Sequence, residues 1–249
     1  SDAQKVVENH GYNIIILSDR GVDAEHVAMP ALLATGAVHH HLIREGLRTK
    51  VGLVVETGEA RRVHDFCLLA GYGAEAMNPY LAFDTLSNLV HERANGLDEE
   101  TAHKHYIKAV GKGMMKVMSK MGISTFNSYR GAQIFEAIGI QQQVIDEFFT
   151  WTDSRVEGVD LEVIGEEARR RHRVAFPSIK TDGRTLDTGG EYQWRREGEH
   201  HLFNPKTVHL LQKAVRTEDE EAYREYAELI NDQTEKMATL RGLLEFAED

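Results

Sequence analysis

The strongest constraint on the fold is an alternation between short apolar runs and helix-length stretches near the start of the chain. Asn13-Ile-Ile-Ile-Leu-Ser-Asp-Arg20 is an apolar run that ends in polar residues. Met29-Pro-Ala-Leu-Leu-Ala34 then opens a helix that continues through His39-His-His-Leu-Ile-Arg-Glu-Gly46, and Val51-Gly-Leu-Val-Val-Glu-Thr-Gly58 is a second apolar run with a polar end. A strand, a helix and a second strand of these lengths form a β-α-β unit. The alternation continues, which predicts strands at about 13–17, 51–55 and 74–78 and helices at about 30–46, 59–70 and 81–92. Helical crossovers between successive strands require a parallel sheet. Its carboxyl edge should carry Asp19, Glu56 and Asn78, because each directly follows a strand.

Beyond Leu97 the pattern changes. Apolar residues at Tyr106, Ile107, Val110, Met114, Met115, Val117, Met118 and Met121 make a helical stripe over 98–121, interrupted by Gly111 and Gly113. Two interior glycines mark either close packing or a break between two helices. Ile123-Ser-Thr-Phe-Asn-Ser-Tyr129 reads as a strand, 131–138 as a short helix, 161–174 as an amphipathic helix and 177–204 as irregular, with helices at about 205–216 and 218–231. The expected architecture is α/β: a degenerate (β/α) barrel-like parallel sheet over residues 1–140, then a mainly helical, partly irregular wrapping or linker region over 141–249.

Composition excludes several classes of function. A net charge of -11 opposes nucleic-acid binding, which depends on clustered cations. The basic run Arg169-Arg-Arg-His-Arg173 follows Glu166-Glu167 and lacks interleaved aromatics, so it reads as a solvated face or a contact with an acidic neighbour. No apolar run approaches the ~18 residues that span a bilayer, and a cytoplasmic location is expected. The single cysteine, Cys67, cannot form an internal disulfide and cannot alone hold zinc or an iron–sulfur cluster. The chain opens at Ser1-Asp2-Ala3 without Met, as an excised piece would.

Few motifs carry chemistry. Gly71-Tyr-Gly-Ala-Glu-Ala76 has the loose spacing of a dinucleotide fingerprint but follows a helix and opens a strand, the reverse of the required order. His39-His40-His41 cannot converge on one ion, because adjacent helical residues point about 100° apart; His103, His105, His200 and His201 are set aside likewise. Ser18, Asp19, Arg20, Glu56 and Thr57 lie at strand ends, where they form either a catalytic pair or a structural ion pair. Lys120, with Ser119, Ser124 and Thr125 around a glycine turn, is a candidate anion contact or a helix cap.

Leu17-Ser-Asp-Arg20, Ala37-Val-His-His-His-Leu-Ile-Arg-Glu-Gly-Leu-Arg48, Asn78-Pro-Tyr-Leu-Ala-Phe83, Val117-Met-Ser-Lys-Met-Gly-Ile-Ser-Thr125, Gly189-Gly-Glu-Tyr192 and Thr239-Leu-Arg-Gly-Leu-Leu244 closely resemble the large chain of glutamate synthase, in order, between its amidotransferase and flavin domains. The resemblance implies a fragment of an enzyme that makes L-glutamate reductively from L-glutamine and 2-oxoglutarate. It also implies FMN and an iron–sulfur cluster in the parent, and a small NADPH-dependent subunit or ferredoxin as electron partner. The fragment would be a structural or channelling domain, inactive alone. The nucleophilic cysteine, the cluster cysteines and the flavin segment of the family have no counterpart here, so no catalytic, cofactor-binding or metal residue is assigned. The turn at Gly58 corresponds to one that grips phosphate in a flavin barrel, but Glu56 and Glu59 flank it and would repel an anion. An independent barrel-like enzyme using Asp19, Arg20, Glu56 and Lys120, or a protein-binding module with an acidic surface, stays open as an alternative.

Overall fold

A computed structural model describes residues 2–93, 96–177, 188–232, 238–239 and 244. The chain divides into two compact units, residues 1–179 and 180–249.

In the first unit, α1 (Asp2–His10) precedes β1 (Ile14–Ser18), α2 (Ala31–Arg44), β2 (Gly52–Glu56), α3 (Val63–Gly71), β3 (Ala76–Asn78) and α4 (Tyr80–Arg93). The three strands pair in parallel in the order β1-β2-β3, in the register Ser18↔Glu56↔Asn78. Asp19, Glu56 and Asn78 therefore share the carboxyl edge, as the sequence predicts. Alternation decides what each face does. Ile15 and Leu53 point into a core with Val7, Leu42, Leu47 and Val51, while Val55 meets Ala31, Ala60, Phe66, Leu69 and Ala74. Leu42 and Leu53 are wholly buried, and each such side chain contributes about 1.5–3 kcal/mol relative to exposure. The opposite face is bare: Ile14 and Ile16 are 60% and 62% exposed.

The helical stripe is one continuous helix, α5 (Glu99–Lys120), started by Asp98, whose side chain accepts from the Thr101 amide. It packs on α3 through Met114, Val117 and Met118. Two expectations fail in the next segment. Residues 123–129 hold one short helix, α6 (Phe126–Tyr129), in place of a strand, because Thr125 caps the turn by accepting from the Ser128 amide. Residues 136–140 form a strand, β4 (Glu136–Ile140), in place of a helix. Gly131 and Gln133 lie at φ +73 and +54, conformations no helix continues through. After α7 (Gln142–Phe148), β4 pairs in parallel with β5 (Asp153–Val159), a polar strand that gives little hydrophobic signal. The amphipathic helix α8 (Leu161–Ala175) follows. Among the described residues the architecture is mixed α/β with two short parallel sheets.

The second unit contains α9 (Pro205–Thr217) and α10 (Glu220–Asn231), which meet through Leu210, Ala214, Ala222 and Tyr226. Asn204 caps α9 with Pro205 at its first turn. The expected irregular stretch 177–204 is described only at 177 and 188–204, where no helix or strand occurs; the rest lies outside the described residues. Among the described residues no helix is long and apolar enough to cross a membrane.

Candidate functional site

The carboxyl edge of the first sheet gathers most of the polar residues singled out from the sequence. Register brings Ser18 and Asn78 to either side of Glu56. The Glu56 carboxylate accepts from Ser18 Oγ at 2.6 Å, Arg20 Nε at 2.8 Å and Asn78 Nδ2 at 3.1 Å. These bonds hold its carboxyl below the usual range, the Ser18 hydroxyl first and Arg20 next. The Arg20 guanidinium is raised in turn, chiefly by its bond to Glu56, and lies 4.1 Å from the Tyr80 ring centre.

One step further along β1, Asp19 Oδ2 accepts from Thr57 Oγ1 at 2.6 Å, and both carboxylate oxygens accept from the Gly58 amide at 3.0 and 3.1 Å. Burial, and then Asp19, push the neighbouring Tyr80 phenol up to about 12. Glu59 Oε2 accepts from the Ala31 amide at 2.7 Å, at the amino end of α2. A glycine-turn amide and a helix amino terminus are the backbone groups that ordinarily hold a phosphate. Here each donates to a carboxylate of the same chain. The arrangement joins three strand ends with paired charges and internally bonded backbone donors, and cavities of about 430 and 650 Å³ flank it. Sequence reasoning set Glu59 beside the turn as a group that repels anions but missed its bond to the Ala31 amide, and it missed Tyr80. Their signals were present, an aromatic just after a strand-end Asn-Pro and a carboxylate beside the turn glycine, but neither spacing reveals the partner.

Around the amino ends of β2 and β3, Glu75 bonds the Leu53 amide at 2.9 Å, Arg48 at 3.3 Å, and Arg130. Arg48 also donates to Val51 O, Gly73 O and His39 Nδ1 at 2.7, 2.8 and 2.9 Å. Burial, and then the charge of Arg48, lower His39 to about 4. Gly73 sits at φ +111 with the His39 ring pressed against its α-carbon, so a side chain there would overlap the imidazole. The fingerprint-like glycines are thus turn and packing residues between α3 and β3.

The remaining candidates diverge. The His39 and His40 rings stand perpendicular at 5.0 Å, while His41 Nε2 meets Gln4 at 3.0 Å. Among the described residues no group of three or more His, Cys, Asp or Glu side chains is arranged around a common metal position. His103 contacts Ser87 and the Phe83 carbonyl, each at 3.1 Å, and His201 contacts the Gly190 carbonyl at 2.6 Å. In the basic run, Arg169, Arg170 and Arg173 all donate to Glu166, whose carboxyl falls to about 2. Cys67 is buried, and burial pushes its thiol up. Lys120 is the exposed last residue of α5, where the carbonyls of Val117, Met118 and Ser119 already accept from the amides of Met121, Gly122 and Ile123, and Thr125 spends its hydroxyl on capping α6.

Fold and edge together define a parallel α/β domain whose strand-end site is closed by its own carboxylates. Residues 1–141 match the family model of the glutamate synthase central domain, and the chain belongs to that family. It is 48% identical over 246 residues to the glutamate synthase [NADPH] large chain of Bacillus subtilis, covering 99% of this chain and 16% of that protein. The glutamate synthase [NADH] of Schizosaccharomyces pombe is 45% identical over 249 residues, covering 99% of this chain and 12% of that one. The ferredoxin-dependent glutamate synthase 1, chloroplastic/mitochondrial, of Arabidopsis thaliana is 40% identical over 251 residues, covering 96% and 15%. The chain thus spans 12% to 16% of the length of these relatives.

Proposed function

We propose that this chain is a structural and channelling domain of a glutamate synthase, placed between an amidotransferase domain and a flavin domain of the same parent. The parent makes L-glutamate reductively from L-glutamine and 2-oxoglutarate with FMN and an iron–sulfur cluster, and a small NADPH-dependent subunit or ferredoxin delivers the electrons. The piece itself supplies no reacting group and works in the cytoplasm as a degenerate relative of a (β/α) barrel.

One observation carries this reading. Gly58 N and Ala31 N, the donors best suited to a phosphate, bond Asp19 and Glu59. A carboxylate held at 3.0 Å on the turn amide excludes a second anion by both volume and charge. The bare sheet face at Ile14 and Ile16 supplies the complementary half, an apolar surface suited to contact with the rest of a much longer parent.

Ile16→Glu tests the role. Ile16 is 62% exposed, so in the 249-residue chain the substitution should leave urea unfolding within about 0.5 kcal/mol of the parent sequence. In the intact synthase the same change should lower the glutamate formed per glutamine consumed, because it charges a covered contact. An unchanged ratio at equal folded protein overturns the linking role.

A further inference from the structure

A cavity of about 410 Å³, separate from the carboxyl edge, opens beside α2, the end of α3 and α7. Its walls are aromatic: Tyr72 and Phe135 stack with ring centres 6.0 Å apart and planes inclined by 25°, and Tyr72 is pinned by a 2.7 Å bond between its hydroxyl and Thr152 Oγ1. Trp151 stands at the rim, 80% exposed, with its backbone at φ +67. Gln133, on the same wall, is also left-handed, at φ +54. Two non-glycine residues in that conformation around one cavity is the kind of local strain that clusters at ligand sites. An exposed indole beside a stacked aromatic pair is an unfilled platform for another ring.

The polar groups on the lining narrow the class of ring. Arg44 bonds the Glu147 carbonyl with both terminal nitrogens at 3.3 Å and has donors left over. Asp146 keeps one carboxylate oxygen on Gln142 at 2.8 Å and offers the other. A cation and an anion on one lining match the carboxylate and ammonium of a free amino acid. His40 also lines the cavity, with Nε2 buried and lacking a hydrogen-bond partner. Burial, and then Arg44, lower its pKa, so the ring is neutral at pH 7 and its unpaired nitrogen can accept. A pocket that pairs a ring donor discriminates against rings without one.

From this arrangement we infer that the cavity is a binding site for a free aromatic amino acid whose ring carries an N–H or O–H donor, with Arg44 on its carboxylate, Asp146 on its ammonium, Trp151 on its ring and His40 on the ring donor. The inference stands on this cavity alone and is independent of the linking role of the domain.

The test uses the 249-residue chain and three probes: L-tryptophan, L-phenylalanine and N-acetyl-L-tryptophan amide. The chain has two tryptophans, Trp151 and Trp194, so the indole N–H signals in a nitrogen–proton correlation spectrum separate the site from the rest. L-tryptophan should move the Trp151 signal and leave Trp194 in place, binding at least ~10-fold tighter than the other two probes, about the worth of one good polar contact. Arg44→Ala and Asp146→Asn, both at exposed positions, should each weaken L-tryptophan part of the way toward the level of its amide while circular dichroism and the melting curve stay unchanged; Arg44→Lys should restore part of the loss. No movement of the Trp151 signal at millimolar probe overturns the site. Equal binding of the amide overturns it too, since a pocket indifferent to both charges receives a side chain of a neighbouring polypeptide and not a free amino acid.

Discussion

His39 shows how burial and charge set a single residue's contribution. Its imidazole titrates near 4 in the folded chain, against 6.5 for a free side chain. Between those values the unfolded chain binds a proton that the folded chain rejects, so stability is full above pH 6.5 and falls as the pH drops toward 4. The slope reaches at most about 1.4 kcal/mol per pH unit from this residue. His40 is shifted the same way and adds to it. His39→Asn keeps an acceptor for Arg48 and removes the titration, so urea unfolding between pH 4 and 7 should show a shallower decline than the parent sequence. An identical decline would remove His39 from the account. At this scale the sequence was legible where chemistry is local to a strand end: Asp19, Glu56 and Asn78 fall at the predicted edge. The Glu75 network was not legible, because Arg48 and Arg130 reach Glu75 from 27 and 55 residues away.

The long helix gives a matched pair of glycines with opposite roles. A methyl group at Gly113 would lie 2.7 Å from Val63 Cγ1, whereas one at Gly111 meets nothing within 4 Å. Gly111→Ala should therefore stabilise the chain by about 0.5–1 kcal/mol through helix propensity alone. Gly113→Ala should destabilise it by about 1–3 kcal/mol, because α3 and α5 must separate to admit the methyl group. Thermal melts of the two variants, shifted in opposite directions, are the expected result; stabilisation by both would mean that the contact with Val63 yields freely. The glycine pattern announced close packing or a break, and only the fold shows packing at one glycine and neither at the other. Elements were legible where apolar periodicity is strong, as in β1, α2, β2 and α5. They were misread at 123–140, where short polar segments take their conformation from caps, left-handed turns and the later partner β5.

For the molecule as a whole, the family and the parallel α/β class were readable before any coordinates, because several long strings and a strand-helix alternation run in the same order along the chain. The position of each unit's core was not, since it depends on which helices cover which strands. The purified 249-residue chain should bind neither FMN nor iron, since Asp19 and Glu59 fill the anion-holding turns and only one cysteine is available. Flavin absorbance retained after gel filtration, near one equivalent per chain, would contradict this. Asp19→Ala frees the Gly58 amide and the Thr57 hydroxyl, and should destabilise the first unit by about 1–3 kcal/mol, the cost of leaving a partly buried donor unpaired. Urea titration reads this directly, and an unaltered midpoint would mean that water replaces the carboxylate without loss.

The bare face of the first sheet has a consequence for how such a chain is made. Among the described residues β1 is an edge strand, and its Ile14 and Ile16 present branched apolar side chains to water. Edges of this kind recruit one another when they meet. A chain made without a surface over this edge should therefore self-associate as its concentration rises.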